Sequence, residues 1–278
     1  MLVNAEHFEA CFLSWTRAVF TPPKNGALRQ IAVDGKVMRR SFDRRKGNAP
    51  LHVVSAFTTQ SGLTLAQRVI AEKSGEAEAL LPLLEGLDLT GELISLDALY
   101  AQKTLVVKIV DQGANYLIAL KRNNKNDHAR VVEHFADTSF GKIPDCPPDC
   151  RATGLARCAP GDRGGKHHSI TNAHGGGRCE TKSDIRHFLT SCTADGLTLA
   201  AAVRDHWAIE NSLHWVLDVG FREDESRIRD RNAAANLAVI RKIAINLVKS
   251  DKTKKGSIKG RRKAAGWDND YMQKIIGF

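Results

Sequence analysis

Residues 31–36, IAVDGK, and residues 93–98, LISLDA, decide how this chain is read. Each is a short apolar run that meets an aspartate abruptly, Asp34 in the first and Asp97 in the second. A brief apolar run bounded by polar residues reads as a buried strand. An aspartate at its end lies at the rim of the sheet, where α/β proteins build their sites. The first strand is expected to stop at Asp34-Gly35 and the other at Asp97.

Outward from these two runs the pattern alternates. Residues 5–20 place Phe8, Phe12, Trp15 and Phe20 at helical spacing, and PPKNG (22–26) breaks that helix. LHVVSAF (51–57) and LTLAQRVI (63–70) read as two further strands with Ser61-Gly62 near the turn. EAEALLPLLEGL (76–87) is helical despite Pro82, QKTLVVKIVDQG (102–113) is a helix closed by Gly113, and NYLIAL (115–120) is a strand. Strands joined by short turns pair antiparallel, and strands joined through helices pair parallel. The expectation is an α/β fold with a mixed five-stranded sheet flanked by helices. From 141 to 182 the hydrophobic period stops in a stretch rich in Gly, Pro, Cys and His, read as an irregular insertion. RHFLTSC (186–192) is a short strand, and residues 199–221 and 229–250 are amphipathic helices. No internal repeat is present. The divisions are residues 1–24, 25–140, 141–182, 183–250 and 251–278: an opening helix, the first part of a core, the insertion, the last part of the core, and a basic tail.

Composition bounds the function. The 278 residues carry 41 Lys+Arg against 31 Asp+Glu, a net charge of +10, and 42% are hydrophobic, which excludes a wholly disordered or collagen-like chain. No apolar run approaches the ~18–20 residues of a membrane span. The first residues have no basic region and include Glu6 and Glu9, unlike an export signal, so a soluble cytoplasmic protein is expected. Residues 249–263 hold eight Lys/Arg and one Asp, a run suited to a polyanion such as nucleic acid. Cys146, Cys150, Cys158 and Cys179, with His167, His168 and His174, do not match the spacing of a paired zinc knuckle.

If the Asp34 and Asp97 strands are neighbours, the two carboxylates project side by side. Close carboxylates repel, and a divalent cation keeps both ionised. A third acid on a helix crossing that rim completes a two-metal site, and Glu210, flanked by Trp207, Ile209 and Leu213, is the candidate. Asp205, Asp218, Glu223 and Asp224 compete for this place, but Asp218 lies eight residues on, more than two helical turns away. Trp207 and Trp215 are read as core residues.

The pieces FEACFLSW, IAVDGKVMRRSFD, PLHVVSAF, ISLDALYAQ, GANYLIALKRN and VRDHWAIENSLHWVLDVGFREDESRIR, with the tail DKTKKGSIKGRRKAAGWDNDY, span about two thirds of the chain. In this order they resemble the DDE transposases of bacterial insertion sequences, in the H-repeat-associated group. The resemblance implies a ribonuclease-H-like fold and carries the acidic triad to Asp34, Asp97 and Glu210. It implies two Mg²⁺ or Mn²⁺ ions held by these acids, metal-dependent cleavage of DNA at element ends, and transfer of the freed strand into target DNA. The expected partners are double-stranded DNA, both transposon ends and target, and a second copy of the chain in a DNA-bound homodimer. Association with the bacterial nucleoid and no membrane contact are expected too. Lys36, Arg39, Lys121, Arg204, His206, Arg227 and Arg229 are candidate phosphate contacts, with His206 one turn before Glu210 also placed to orient it.

Three departures from the family pattern stand out: the helical N-terminal region that precedes FEACFLSW in the family is expected to be lacking, HGGGRCETK only faintly echoes the family's middle segment, and residues 144–180 read like frameshifted or decayed coding sequence. The alternative expectation is therefore a truncated, inactive remnant that binds DNA without sequence preference.

Overall fold

The computed structural model describes residues 3–19, 28–70, 76–121, 154–158 and 186–277. Helix α1 (Ala5–Val19) precedes strands β1 (Arg29–Met38), β2 (Leu51–Thr58) and β3 (Thr64–Ile70). Helix α2 (Glu76–Glu85), strand β4 (Glu92–Leu96), helix α3 (Lys103–Asp111) and strand β5 (Asn115–Leu120) follow. Strands β6 (Gly154–Cys158) and β7 (Arg186–Thr190) come next, then helix α4 (Gly196–His206) and a π-helical turn at Glu210–His214. Helices α5 (Trp215–Phe221), α6 (Arg231–Ser250), α7 (Ile258–Trp267) and α8 (Asn269–Ile276) complete the order.

The strands form one sheet in the order β3-β2-β1-β4-β5-β7-β6. β1–β2 and β2–β3 are antiparallel, while β1–β4 and β4–β5 are parallel, as their short-turn and helix-linked connections require. These five strands form the mixed sheet that the sequence predicts. β7 adds antiparallel to β5, and β6 antiparallel to β7, so the sheet has seven strands.

Three expectations are corrected. β1 does not stop at Asp34-Gly35: Lys36, Val37 and Met38 keep pairing with Val53, His52 and Leu51. β6 lies inside the stretch read as irregular. Its sequence GLARC has no period of its own, and its extended form is fixed by pairing Leu155 with Leu189 and Ala156 with Phe188. The rest of 141–182, including Cys146, Cys150, Cys179 and the three histidines, lies outside the described residues. The basic tail is folded into α7 and α8, whose N-termini are capped by Ser257 and Asp268. The Tyr271 hydroxyl donates to Asp251 Oδ2 at 2.9 Å and Arg261 Nη1 to the Asp251 carbonyl at 2.7 Å, anchoring both helices to the end of α6.

Strand alternation divides the core. Ile31, Val33, Ile94, Leu96 and Ile118 pack with Leu80 and Leu84 of α2 and Leu105 and Ile109 of α3 on one face. Ala32 and Phe57 pack with Ile209, Leu213, Leu217 and Ile245 on the other. Asp34, two residues after Ala32, therefore projects toward the π turn and α5. Helix α1 closes the β3 edge. Its buried Glu9 accepts from Gln67 Nε2 and the Val69 N–H, each at 3.1 Å, and the Thr16 hydroxyl donates to the Leu65 carbonyl at 2.7 Å. Burial pushes the Glu9 carboxyl up, against the pull of Gln67 and Arg68.

Candidate active site

The parallel register pairs Val33 with Leu96, so Asp34 and Asp97 are the next residues along two adjacent strands. Here β4 ends while β1 runs on against β2, and the sheet splits between the two aspartates. A strand that stops where its neighbour continues leaves an opening at the rim, reached by both carboxylates. Asp97 turns into the short 3₁₀ segment Ala98–Tyr100 with an extended backbone. Lys121 Nζ contacts both its oxygens, at 2.9 and 3.2 Å. Burial pushes the Asp97 carboxyl up, but the Lys121 hydrogen bond and charge with the Ala98 N–H outweigh it and hold it below the ordinary range.

Asp34 Oδ2 faces His214 Nδ1 at 3.6 Å. Burial, reinforced by the ammonium groups of Lys242 and Lys36, pushes this imidazole down to about 3. It is neutral at pH 7 and so borders Asp34 as an uncharged group. Sequence reasoning missed His214. The signal was present, because the doublet His-Trp at 206–207 recurs at 214–215.

Glu210 is exposed at the start of the π turn, where its carbonyl accepts from the Trp215 N–H. The turn has a packing role. Ile209, Leu213 and Leu217 lie four residues apart, and each is no more than 1% exposed. At 3.6 residues per turn a spacing of four drifts about 40° per step, and a wider turn takes up that drift. His206, at the end of α4, is turned inward, with Nδ1 2.9 Å from Ser95 Oγ. Ser95 in turn accepts from Gln30 Nε2 at 2.7 Å. Burial holds His206 below its usual range against the opposing pull of Asp97. The chain thus connects α4 to β4 just before Asp97, and His206 is a helix-to-sheet contact.

The candidate phosphate contacts divide. Lys36 is withdrawn from that role, because its side chain is only 12% exposed and its ammonium lies 2.7 Å from Asp218, 2.9 Å from Asp224 and 3.4 Å from Glu223. Burial would lower its pKa, but these three carboxylates raise it. Three of the four acids that competed with Glu210 in the sequence, Asp218, Glu223 and Asp224, thus serve as partners of Lys36. Arg39 is largely exposed beside Asp224, and Arg204, Arg227 and Arg229 are exposed. Lys121 is exposed but paired with Asp97. The core assignment of Trp207 and Trp215 is also overturned: they are 47% and 60% exposed, because the row 209–213–217 takes the inward face. Among the described residues, no three His, Cys, Asp or Glu side chains stand close enough together to enclose an ion.

The comparisons with known proteins agree with this architecture. Residues 25–247 match the family described as the transposase DDE domain, and the chain belongs to that family. It is 34% identical to YncI of Escherichia coli O157:H7, over 99% of this chain and 75% of that protein. It is 29% identical to the H repeat-associated protein YhhI of Escherichia coli K12, over 99% of this chain and 77% of that one. Both relatives are provisionally named transposases. Among solved structures, a piggyBac transposase in a synaptic complex with hairpin DNA superposes with a TM-score of 0.55 at 11% identity. The alignment covers 99% of this chain and 60% of that one, and the shared fold is ribonuclease-H-like.

Proposed function

We propose that this chain cleaves DNA at the ends of an insertion sequence and joins the freed strand to target DNA, using Asp34, Asp97 and Glu210 as its acids. The observation that carries the reading is the register that brings Asp34 and Asp97 to successive positions on β1 and β4, on the face crossed by the Glu210 turn. Carboxylates are donors of the kind that hard divalent cations take, and Lys121 with the Ala98 N–H holds Asp97 in its ionised form. Asp34, Asp97 and Glu210 would hold one or two Mg²⁺ or Mn²⁺. When bound, such ions activate a water or hydroxyl nucleophile and stabilise charge on the phosphodiester. The remaining parts position. His206 and Ser95 fix α4 to the strand that bears Asp97, and Lys36 fixes the end of α5 and the residues after it to the strand that bears Asp34.

Double-stranded DNA is the substrate in this reading, both as element end and as target, with a second copy of the chain on the same DNA in the bacterial nucleoid. Arg39, Arg204, Arg227 and Arg229 are the exposed cations placed to meet phosphates. The test is nicking of a plasmid carrying the element's ends in Mn²⁺. The intact chain should nick it, and Asp34→Asn, Asp97→Asn and Glu210→Gln should each abolish nicking while keeping the wild-type circular dichroism. An intact chain that binds the plasmid but leaves it uncut would be the DNA-binding remnant.

A further inference from the structure

Lys249 opens the basic run 249–263, yet its side chain turns inward from the last turn of α6. Its ammonium donates to the Gly62 carbonyl at 2.6 Å and to the Ser212 carbonyl at 2.9 Å, and lies 4.9 Å from the centroid of the Phe57 ring. An ammonium has three donors, so two carbonyls and an aromatic face satisfy it without an anion. Burial accordingly lowers its pKa to about 8, with no carboxylate among the described residues to oppose the shift. A buried cation without an opposite charge is a costly way to fill space, and packing alone would favour methionine or leucine here.

What the ammonium joins is more telling. Ser212 is two residues beyond Glu210, inside the π turn. Gly62 lies in the turn between β2 and β3, and Phe57 is on β2. Across the strands Phe57 is paired with Ala32, and Ser55 with Asp34. Lys249 thus ties the turn that bears Glu210 to the strand pair that bears Asp34. The apolar row 209–213–217 already holds that turn on the sheet, but apolar contact is non-directional and constrains sliding and rotation weakly. A hydrogen bond fixes direction as well as distance. The approach is also close: Gly62 has φ +70°, and a Cβ added there would stand 3.0 Å from the Lys249 nitrogen.

We propose that Lys249 is the positioning residue for Glu210, holding the Ser212 carbonyl so that the third acid keeps its place against the strand that carries Asp34. This rests on the function proposed above, in which Glu210 is one of three acids, and adds the group that sets where it stands. Sites of this kind need their ligands held to about 0.5 Å by supporting hydrogen bonds, which apolar packing does not supply. A cation kept without an anion, on the carbonyl two residues from the glutamate, is such a support.

The experiment compares the full chain with Lys249→Met, Lys249→Arg and Thr190→Val, each checked by circular dichroism. Thr190→Val controls for lost stability alone: it removes a buried hydroxyl that donates to the Tyr116 carbonyl at 2.6 Å, on β7, three strands from β1. By calorimetry Lys249→Met should bind Mn²⁺ about tenfold more weakly, the scale of a lost contact behind a metal ligand. Its plasmid nicking should fall by at least that factor, and amide exchange over 207–217 should speed up. Lys249→Arg, still able to donate to both carbonyls, should recover most of the Mn²⁺ affinity. Thr190→Val should unfold at lower urea with Mn²⁺ affinity and exchange over 207–217 as in the intact chain. If Lys249→Met does not fold, Gly62→Ala presses on the same ammonium from the β2–β3 turn and should weaken Mn²⁺ binding alike. Intact Mn²⁺ affinity in whichever of these two folds, or an equal loss in Thr190→Val, would overturn the role of Lys249 alone. An intact chain that neither binds Mn²⁺ nor nicks would instead remove the function proposed above, and this role with it.

Discussion

Lys36 Nζ lies 2.7 Å from Asp218 Oδ1, joining the strand that carries Asp34 to the helix that follows the Glu210 turn. The same ammonium meets Glu223, which is only 2% exposed and also faces Arg241 at 3.6 Å. Lys36→Met would leave this acidic group with only Arg241 beside Glu223 and the exposed Arg39 beside Asp224 among the described residues. Breaking such a buried pair from one side costs about 3–5 kcal/mol, so urea unfolding should show a loss of that order. DNA affinity, measured where the variant is still folded, should stay near wild type. A variant of normal stability with weakened DNA binding would return Lys36 to the phosphate contacts.

Helix α1 belongs to the folded core. Glu9 satisfies the Val69 N–H, the Thr16 hydroxyl satisfies the Leu65 carbonyl, and Phe12 is 1% exposed. Removing residues 1–20 should expose the β3 edge and lower the thermal midpoint by more than about 10 °C, given about 2–4 °C for each kcal/mol in a chain of this size. Differential scanning calorimetry checks this, and an unchanged midpoint would show α1 to be dispensable.

Burial holds the Lys242 ammonium down to about 8, outweighing the opposing pull of Glu223 and Glu9. In the unfolded chain this lysine titrates near 10.5. Between these values the unfolded state binds more protons than the native state, so this group makes stability rise with pH through the window from about 8 to 10.5. The slope should approach about 1.4 kcal/mol per pH unit. Urea unfolding of wild type and Lys242→Met across that range should show the difference changing in favour of wild type as pH rises. Lys249, also held down to about 8 by burial, adds a slope of the same sign that both proteins share.

Lys121 competes with any cation for Asp97. Lys121→Ala should raise the Asp97 carboxyl toward its ordinary range and remove one positive charge from the rim. Mn²⁺ affinity, measured by calorimetry or by the concentration that supports half-maximal nicking, should improve roughly fivefold, the effect of about 1 kcal/mol between unit charges in a wet site. A loss of affinity would mean that Lys121 orients Asp97 and does not oppose the ion.

The sheet's centre was legible because IAV and LISL are runs that only a buried strand can use, and the spacing between them fixes which strands are parallel. Where the chain leaves those strands was less legible. β1 continues to Met38 because β2 pairs with it, and no residue between 34 and 38 declares that partner. Lys36 read as a phosphate contact because its three carboxylates lie more than 180 residues further along the chain. The two tryptophans read as core because hydrophobicity alone does not say which of two rows, 207–211–215 or 209–213–217, faces inward. The π turn that keeps the second row in line leaves no compositional mark. His214 escaped notice for a related reason, since an imidazole within an apolar helix looks like a packing residue until the strand opposite it is known.

Strands β6 and β7 are antiparallel neighbours in which Cys158 opposite Arg186 is the pair nearest the intervening segment. The end of β6 and the start of β7 therefore stand beside one another in the sheet. Closing a longer connection between fixed ends costs only about 0.6 kcal/mol for each doubling. A change in the number of residues between Cys158 and Arg186 should therefore cost little, because the two strand ends that it joins are held together by their own pairing. A tag or second module joined between Cys158 and Arg186 should accordingly leave the pairing of β6 with β7 in place.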